Sequence, residues 1–555
     1  LLSVLFLGLL LGVIVASFTQ VAGGAVRSTR MWRESDEAFL IALSAMDDAK
    51  YDIYARFADH FHSAPLPQSS GKFDWFETYT SASVGSENAY LAPRGASYDG
   101  GTITVTIEDS TRVDRVIVDL LLTVEAEKGD HTRTVQELVR YQLASSRVFD
   151  YAYFVNNFGW FWGGSITAHG DVRANGNFNC RYGPKINGDA YAATNPAFGA
   201  SGDVQGDWDY WSMNKYYNNA PGQARPGDPP SSTFGDNWPM GYDADVRQYE
   251  HVPILPMPYL GDLSWYTYLA NKENGTLSQG GTTLVDGVYA GDGPDGVSGT
   301  PDDGMLVLVG TEDDPIEIDG PVVISNDVVI KGKVTGQGCI YAGRNIHVAD
   351  RVEYVDPPNW PKPDDDPMET VQDNQGSDML GLAAKGNIIF GDYTSSAWRN
   401  STFRYIRPGF TSSYETDPSD YSLGYDSDWN PSNGYRFNGD YTAKDGGQKL
   451  DYLGRVRDRC YYESSNDEAF RAISPTNDVE KIDAVCYTNH LFGGDTDEME
   501  FNGAIVARDE AIIFNYYVHM TWDIRLGSPL YDSARINFAL PQTLNVPISR
   551  YWREL

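Results

Sequence analysis

The residues best placed for ligand chemistry form one acidic, Gly-rich stretch, Asp292-Gly293-Pro294-Asp295-Gly296 followed closely by Asp302-Asp303-Gly304. Hard carboxylate oxygens on a glycine-rich loop are what calcium takes, because several must converge without steric cost. The EF-hand spacing is absent. Asp292, Asp295, Asp302 and Asp303 therefore read either as a calcium site of another kind or as a solvated acidic turn, and calcium is the one cofactor the sequence offers. The eight histidines contain no H-x-x-x-H or H-E-x-x-H pair, and neither a G-x-S-x-G elbow nor a phosphate-binding loop occurs. Four cysteines without a C-x-x-C pair exclude zinc ribbons and thioredoxin-like chemistry. Cys460 and Cys486 lie in one polar region and can bridge in an oxidising compartment. Cys339, in Gly338-Cys339-Ile340-Tyr341, reads as a small buried hydrophobe.

Composition bounds the partners. Among 555 residues, 77 are acidic and 42 basic, a net charge of −35. That field repels polyanions, so nucleic acid is excluded as a partner. The length predicts two or three folding units, and the abundance of Gly and Tyr points to short strands joined by tight turns.

The elements that carry this chain begin with an uncharged apolar run, Leu1 to Phe18. As a helix it is roughly 27 Å long, close to a bilayer core. Its apolar residues are Leu1, Leu2, Val4, Leu5, Phe6, Leu7, Leu9, Leu10, Leu11, Val13, Ile14, Val15 and Phe18, and Arg27, Arg30 and Arg33 follow. A signal peptide carries a basic stretch before its apolar segment. None precedes Leu1, so the chain reads as already processed with the segment retained. Helical patterning continues from Val26 to Phe61, with Met31, Phe39, Ile41, Leu43, Met46, Ile53 and Phe57 among interleaved charges and no proline before Pro65. Gly23-Gly24 is the one place where this helix is expected to bend or melt.

A helix of about 60 residues, wholly apolar in its first third and amphipathic afterwards, resembles the N-terminal helix of type IV pilins and pseudopilins, particularly the PilX-like minor pilins. The resemblance implies an inner-membrane anchor that later packs in a filament core, with copies of the chain and the pilus assembly machinery as partners. One departure matters: the family's early glutamate is replaced here by Leu5. The alternative is an ordinary membrane-anchored protein with a single span.

Behind a Pro/Ser-rich linker, the alternating segments Thr102–Ile107, Arg115–Leu120 and Thr132–Leu143 predict a small antiparallel sheet packed on the helix, within a domain spanning 72–160. From residue 161 to 555 the texture is Gly-rich and repetitive. Alternating segments recur at Ile166–Phe178, Ile316–Ile324, Val328–Val334, Gly338–Val348, Leu382–Asp392 and Phe501–Phe514. Short apolar strands with turn residues between them suit stacked rungs of a parallel β-helix, with a β-sandwich as the alternative. Aromatic, polar insertions interrupt them at about 191–258, 357–377 and 395–489.

The expectation is thus an α+β chain: a pilin-like helix (1–62), a small antiparallel sheet, then a mainly β body, a parallel β-helix with long loop insertions. It builds a cell-surface filament without being an enzyme. Two alternatives stand beside it. One is a tip subunit acting as an adhesin. The other is a membrane-tethered β-helix polysaccharide lyase, for which Lys331, Lys333, Arg344 or Lys385 would supply the base.

Overall fold

The structure is a computed structural model. Apart from one- or two-residue breaks, it describes residues 2–62, 84–85, 97–195, 200–206, 248–260, 263–360, 367–395, 398, 467–526 and 540–555. A long N-terminal helix is followed by a mostly β body, and the chain divides into two compact units. One comprises 1–61, 70–144 and 544–555; the other comprises 62–69 and 145–543.

In the first unit, helix α1 (Leu2–His62) runs unbroken through Gly23-Gly24, so the expected bend is not found. A side chain at either glycine would meet open space, so the helix is free to continue there at a propensity cost of about 1 kcal/mol per glycine. Beside it lies an antiparallel sheet of β1 (Ser97–Tyr98), β2 (Gly101–Asp114), β3 (Ile117–Lys128) and β4 (His131–Ser145), as the alternation predicts. The pattern on β3 buries Val118, Leu120, Leu122, Val124 and Ala126 in strict alternation, since successive side chains point to opposite faces.

The helix contributes Ala38, Ile41, Ala42, Ala45, Met46, Ala49, Ile53 and Phe57, a three-and-four spaced stripe that is fully or nearly fully buried. Half of that seam is alanine, small enough to let backbone and sheet approach closely. The larger residues Met31 and Leu43, expected on it, are exposed and half-buried. Polar ties fix the register. The Lys50 ammonium reaches both Glu137 oxygens at 3.1 and 3.2 Å, the Tyr141 hydroxyl donates to the Lys50 carbonyl at 3.1 Å, and Phe57 meets Tyr141 edge-on at 5.2 Å.

Residues 145–543 are inserted into this sheet. The chain leaves it after β4 and comes back to it with Ile548–Glu554, which pairs antiparallel with β4.

The second unit is a stack of turns joined by parallel ladders, and all six repeated segments fall on its strands. The commonest spacing of ladder partners is eighteen or nineteen residues: Val328 with Ile346, Lys481 with Glu500, Glu500 with His519 and Val172 with Ala190. Longer spacings, such as Ile346 with Ile388 and Ile388 with Phe492, mark where insertions leave the stack. The apolar face of each turn has only its neighbours to cover it, so one continuous cluster extends from Tyr153 to Met520.

Recurring asparagines sit at the corners. Asn345 accepts both the backbone and side-chain N–H of Asn387, and its own N–H is accepted by Asp327 at 2.9 Å. Asn175 donates to Asn156 at 2.7 Å, and Asn195 donates to the Asn175 carbonyl. Turn amides that point along the stack are paired in this way inside a buried site.

The order of turns in space differs from the order in sequence. The last turn contains Glu498–Ala507, which pairs on one side with Lys481–Thr488, and Tyr517–Trp522 stacks on it as the next rung. On its other side lies the first turn: Ile505 pairs with Tyr153, and Val518 with Ile166. The chain therefore enters at mid-stack, builds outward to Gln248–Val252, and restarts at the far end with the hairpin Thr276–Gln279 and Thr282–Asp286. It then builds back until it meets its own entry point.

The described residues among 253–275 make the return along the outside. They are held by Asn175 against Leu255, by Asn489 against Leu260, and by Tyr266 stacked on Tyr341 at 4.1 Å. Trp522 at the exit donates to the Phe149 carbonyl at the entry, 3.0 Å away.

Candidate assembly helix and an acidic groove

From Leu2 to Phe18 every described side chain of α1 is exposed, Leu2 at 88%, Phe6 at 72% and Phe18 at 73%. None of the most apolar window of this helix is buried, and it is long and apolar enough to cross a membrane. The assembly residues read from the sequence all lie on it, except Leu1, which is outside the described residues. The backbone hydrogen bonds are internal to the helix. The hydroxyls of Thr19 and Thr29 also turn inward, onto the carbonyls of Val15 (2.7 Å) and Ala25 (2.9 Å). That is the way a polar side chain is satisfied in an apolar medium. Beyond Arg27 the exposed surface becomes charged, with Arg30–Glu34 and Arg33–Glu37 pairs one helical turn apart. One helix thus carries two surfaces, an apolar one covered by nothing among the described residues and an amphipathic one buried on its own sheet.

The acidic loop closes on itself. Thr300 donates to Asp302 at 2.6 Å, the Asp295 amide to Asp302, the Val297 amide to Asp295 and the Gly299 amide to Asp303. Burial alone would raise the Asp302 pKa, but the Thr300 hydroxyl and the Asp295 amide hold its carboxyl below the ordinary value. These bonds account for Asp295, Asp302 and Asp303 as turn caps. Of the basic residues considered for lyase chemistry, Lys331 donates to the Ile473 carbonyl. Lys333 lies between Glu312 (3.0 Å) and Glu353 (2.9 Å), and Arg344 lies 3.6 Å from Asp327. Cys180, Cys339 and Cys486 are buried free thiols, and burial pushes Cys339 up to about 12. Cys460, the other half of the suggested disulfide, lies outside the described residues.

The fold also creates a site that no motif announced. On the outer face near the junction of last and first turns, a cavity of about 650 Å³ is lined by Asp478, Glu480, Asp497, Glu498 and Glu500 together with His169, His519 and Tyr517. The ladders place them there: Glu500 sits opposite His519, and Thr521 opposite His169. Burial, and then His519, draws His169 down to about 4, so its imidazole is neutral at physiological pH. The alternation over Ile166–Phe178 predicts a strand at His169, whereas Asp478 and Glu480 fall in the insertion expected at 395–489, and no local signal brings His169 beside residues more than 300 positions later.

No protein-family model matches the chain, and no curated protein does. Among solved structures, the competence-associated pilin ComZ from Thermus thermophilus aligns over 94% of this chain and 98% of its own, at 10% identity and a TM-score of 0.29. A likeness at that level carries no argument about fold or role.

Proposed function

We propose that the chain is a pilin-like subunit of an extracellular, type IV pilus-like filament, held in the inner membrane by the first third of α1 until assembly. The observation that supports this reading is the division of a single helix into an uncovered apolar segment, Leu2 to Val26, and a seam from Ala38 to Phe57 buried in its own unit. Burial of the uncovered segment, in lipid and then against copies of itself, is the driving force of assembly. The PilX-like affiliation rests on the same helix. We read the second unit as a parallel β-helix displayed outside the filament, supported by its parallel ladders at near-constant spacing. Its role is structural and non-catalytic.

A tip position, with the body as an adhesin, is favoured by one residue: Leu5 stands where the family carries its assembly glutamate. Electron microscopy of material sheared from cells, with mass spectrometry of its constituent chains, separates the readings. Continuous filaments made mainly of this chain support the structural subunit. Detection only at filament ends supports the tip, and absence from filaments overturns both.

A further inference from the structure

The turn reached by building outward from the entry point carries a three-residue constellation outside the groove and outside the acidic loop. Asp203 precedes the strand Val204–Gly206, while Glu250 and His251 lie on the strand Gln248–Val252. One ligand atom from each lies within 4.8 Å of the others. Among the described residues, no other set of three or more such side chains converges this closely.

Hydrogen bonding fixes what each atom offers. His251 Nδ1 lies 2.9 Å from the carbonyl oxygen of Ser201. A carbonyl only accepts, so Nδ1 is the donor here, and Nε2 is the ring atom turned toward Asp203. Nε2 lies 3.7 Å from Asp203 Oδ1, and Glu250 adds a second carboxylate. Each carboxylate is braced from behind: Asp203 Oδ2 takes the Ser201 hydroxyl at 2.5 Å, and Glu250 Oε1 takes the Val204 amide at 3.0 Å and the Gln248 amide group at 2.6 Å. Metal-binding side chains are oriented in the same way by partners on their far atoms. His251 itself is held in the left-handed region, φ 56°, with its own N–H donated to the Gly202 carbonyl at 2.8 Å. A non-glycine residue rarely adopts that conformation without a compensating interaction.

We propose that Asp203, Glu250 and His251 bind one divalent metal ion of the zinc or manganese class. One imidazole and two carboxylates suit these ions, with water completing the shell. The ligands flank residues 207–247 in sequence, Asp203 before and Glu250 with His251 after. The ion therefore joins the residue preceding the strand Val204–Gly206 to the strand Gln248–Val252, a cross-link between positions far apart in sequence. The competing explanation is a protonated His251 in an exposed ion pair with Asp203, an arrangement that needs no metal.

The test is a titration of the full chain in detergent micelles with Zn²⁺ and, separately, Mn²⁺, read by isothermal calorimetry. X-ray absorption then reports the zinc ligands. One ion per chain at micromolar affinity, with a nitrogen/oxygen shell near ~2.0–2.1 Å, is expected. His251→Ala and Asp203→Asn should each weaken binding at least about 30-fold while leaving the far-UV spectrum unchanged. The remaining acidic surface serves as the internal control for weak, multivalent uptake. Absence of stoichiometric binding up to about 1 mM metal overturns the proposal, as does stoichiometric binding that both variants retain.

Discussion

The division of α1 can be tested by charging its apolar segment. Twelve Leu, Val, Ile and Phe side chains are exposed between Leu2 and Phe18. At about −0.3 to −0.6 kcal/mol each for insertion into a bilayer, they supply about −4 to −7 kcal/mol. A central aspartate costs about 2.5 to 3.5 kcal/mol and removes one leucine, a change of about 3 to 4 kcal/mol. Leu10→Asp should therefore lower membrane partition by more than about 100-fold while leaving insertion favourable. Leu7→Asp with Leu11→Asp doubles the change to about 6 to 8 kcal/mol and should abolish insertion. None of the three positions is buried in the folded chain, so the melting temperature of the body should be the same in both variants. The assay is flotation with lipid vesicles, paired with thermal unfolding in mild detergent. A double variant that still floats, or one whose body melts early, refutes the assignment of this segment as an uncovered, membrane-embedded surface.

Lys50→Met leaves Glu137, with its side chain only 4% exposed, without its cation, and should destabilise the first unit by about 3 to 5 kcal/mol in denaturant titration. Adding Glu137→Gln should recover much of the loss. His169 is held near 4, below the ordinary value of about 6.5. The unfolded chain takes up a proton in that interval and the folded chain does not, so stability is full above about pH 6.5 and falls by about 3 kcal/mol toward pH 4. His169→Gln should flatten that limb of the stability–pH curve. Gly332 has φ 93°, and a Cβ there would fall on the Gly310 carbonyl of the adjacent turn. Gly332→Ala should lower the denaturant midpoint by the equivalent of at least about 2 kcal/mol; an unchanged midpoint would mean that the turns are not packed this closely.

The sequence by itself determined the properties that depend on near neighbours. An uncharged run of eighteen residues followed by amphipathic patterning specifies a long two-part helix, because helical hydrogen bonds and the 3.6-residue period are local. Alternation over Thr102–Ile107 and Thr132–Leu143 specified the sheet, and the spaced Val/Ile/Ala segments with Gly and Asn corners specified stacked strands. The alanine seam of α1 escaped notice because Ala38, Ala42, Ala45 and Ala49 carry little hydrophobic signal, although their small size lets the sheet approach.

Only the tertiary structure decided which strands become neighbours. A parallel ladder accepts any apolar strand of matching length, so nothing in the first turn shows that Tyr153 pairs with Ile505 instead of with a strand nearby in sequence. The same long-range choice gathers His169 with Glu500 and His519 in the groove. It also brings Asp203 to Glu250 and His251 across an intervening 46 residues. Residue types are local, but the convergence of their donor atoms is a property of strand order, which is set by burial of the whole stack.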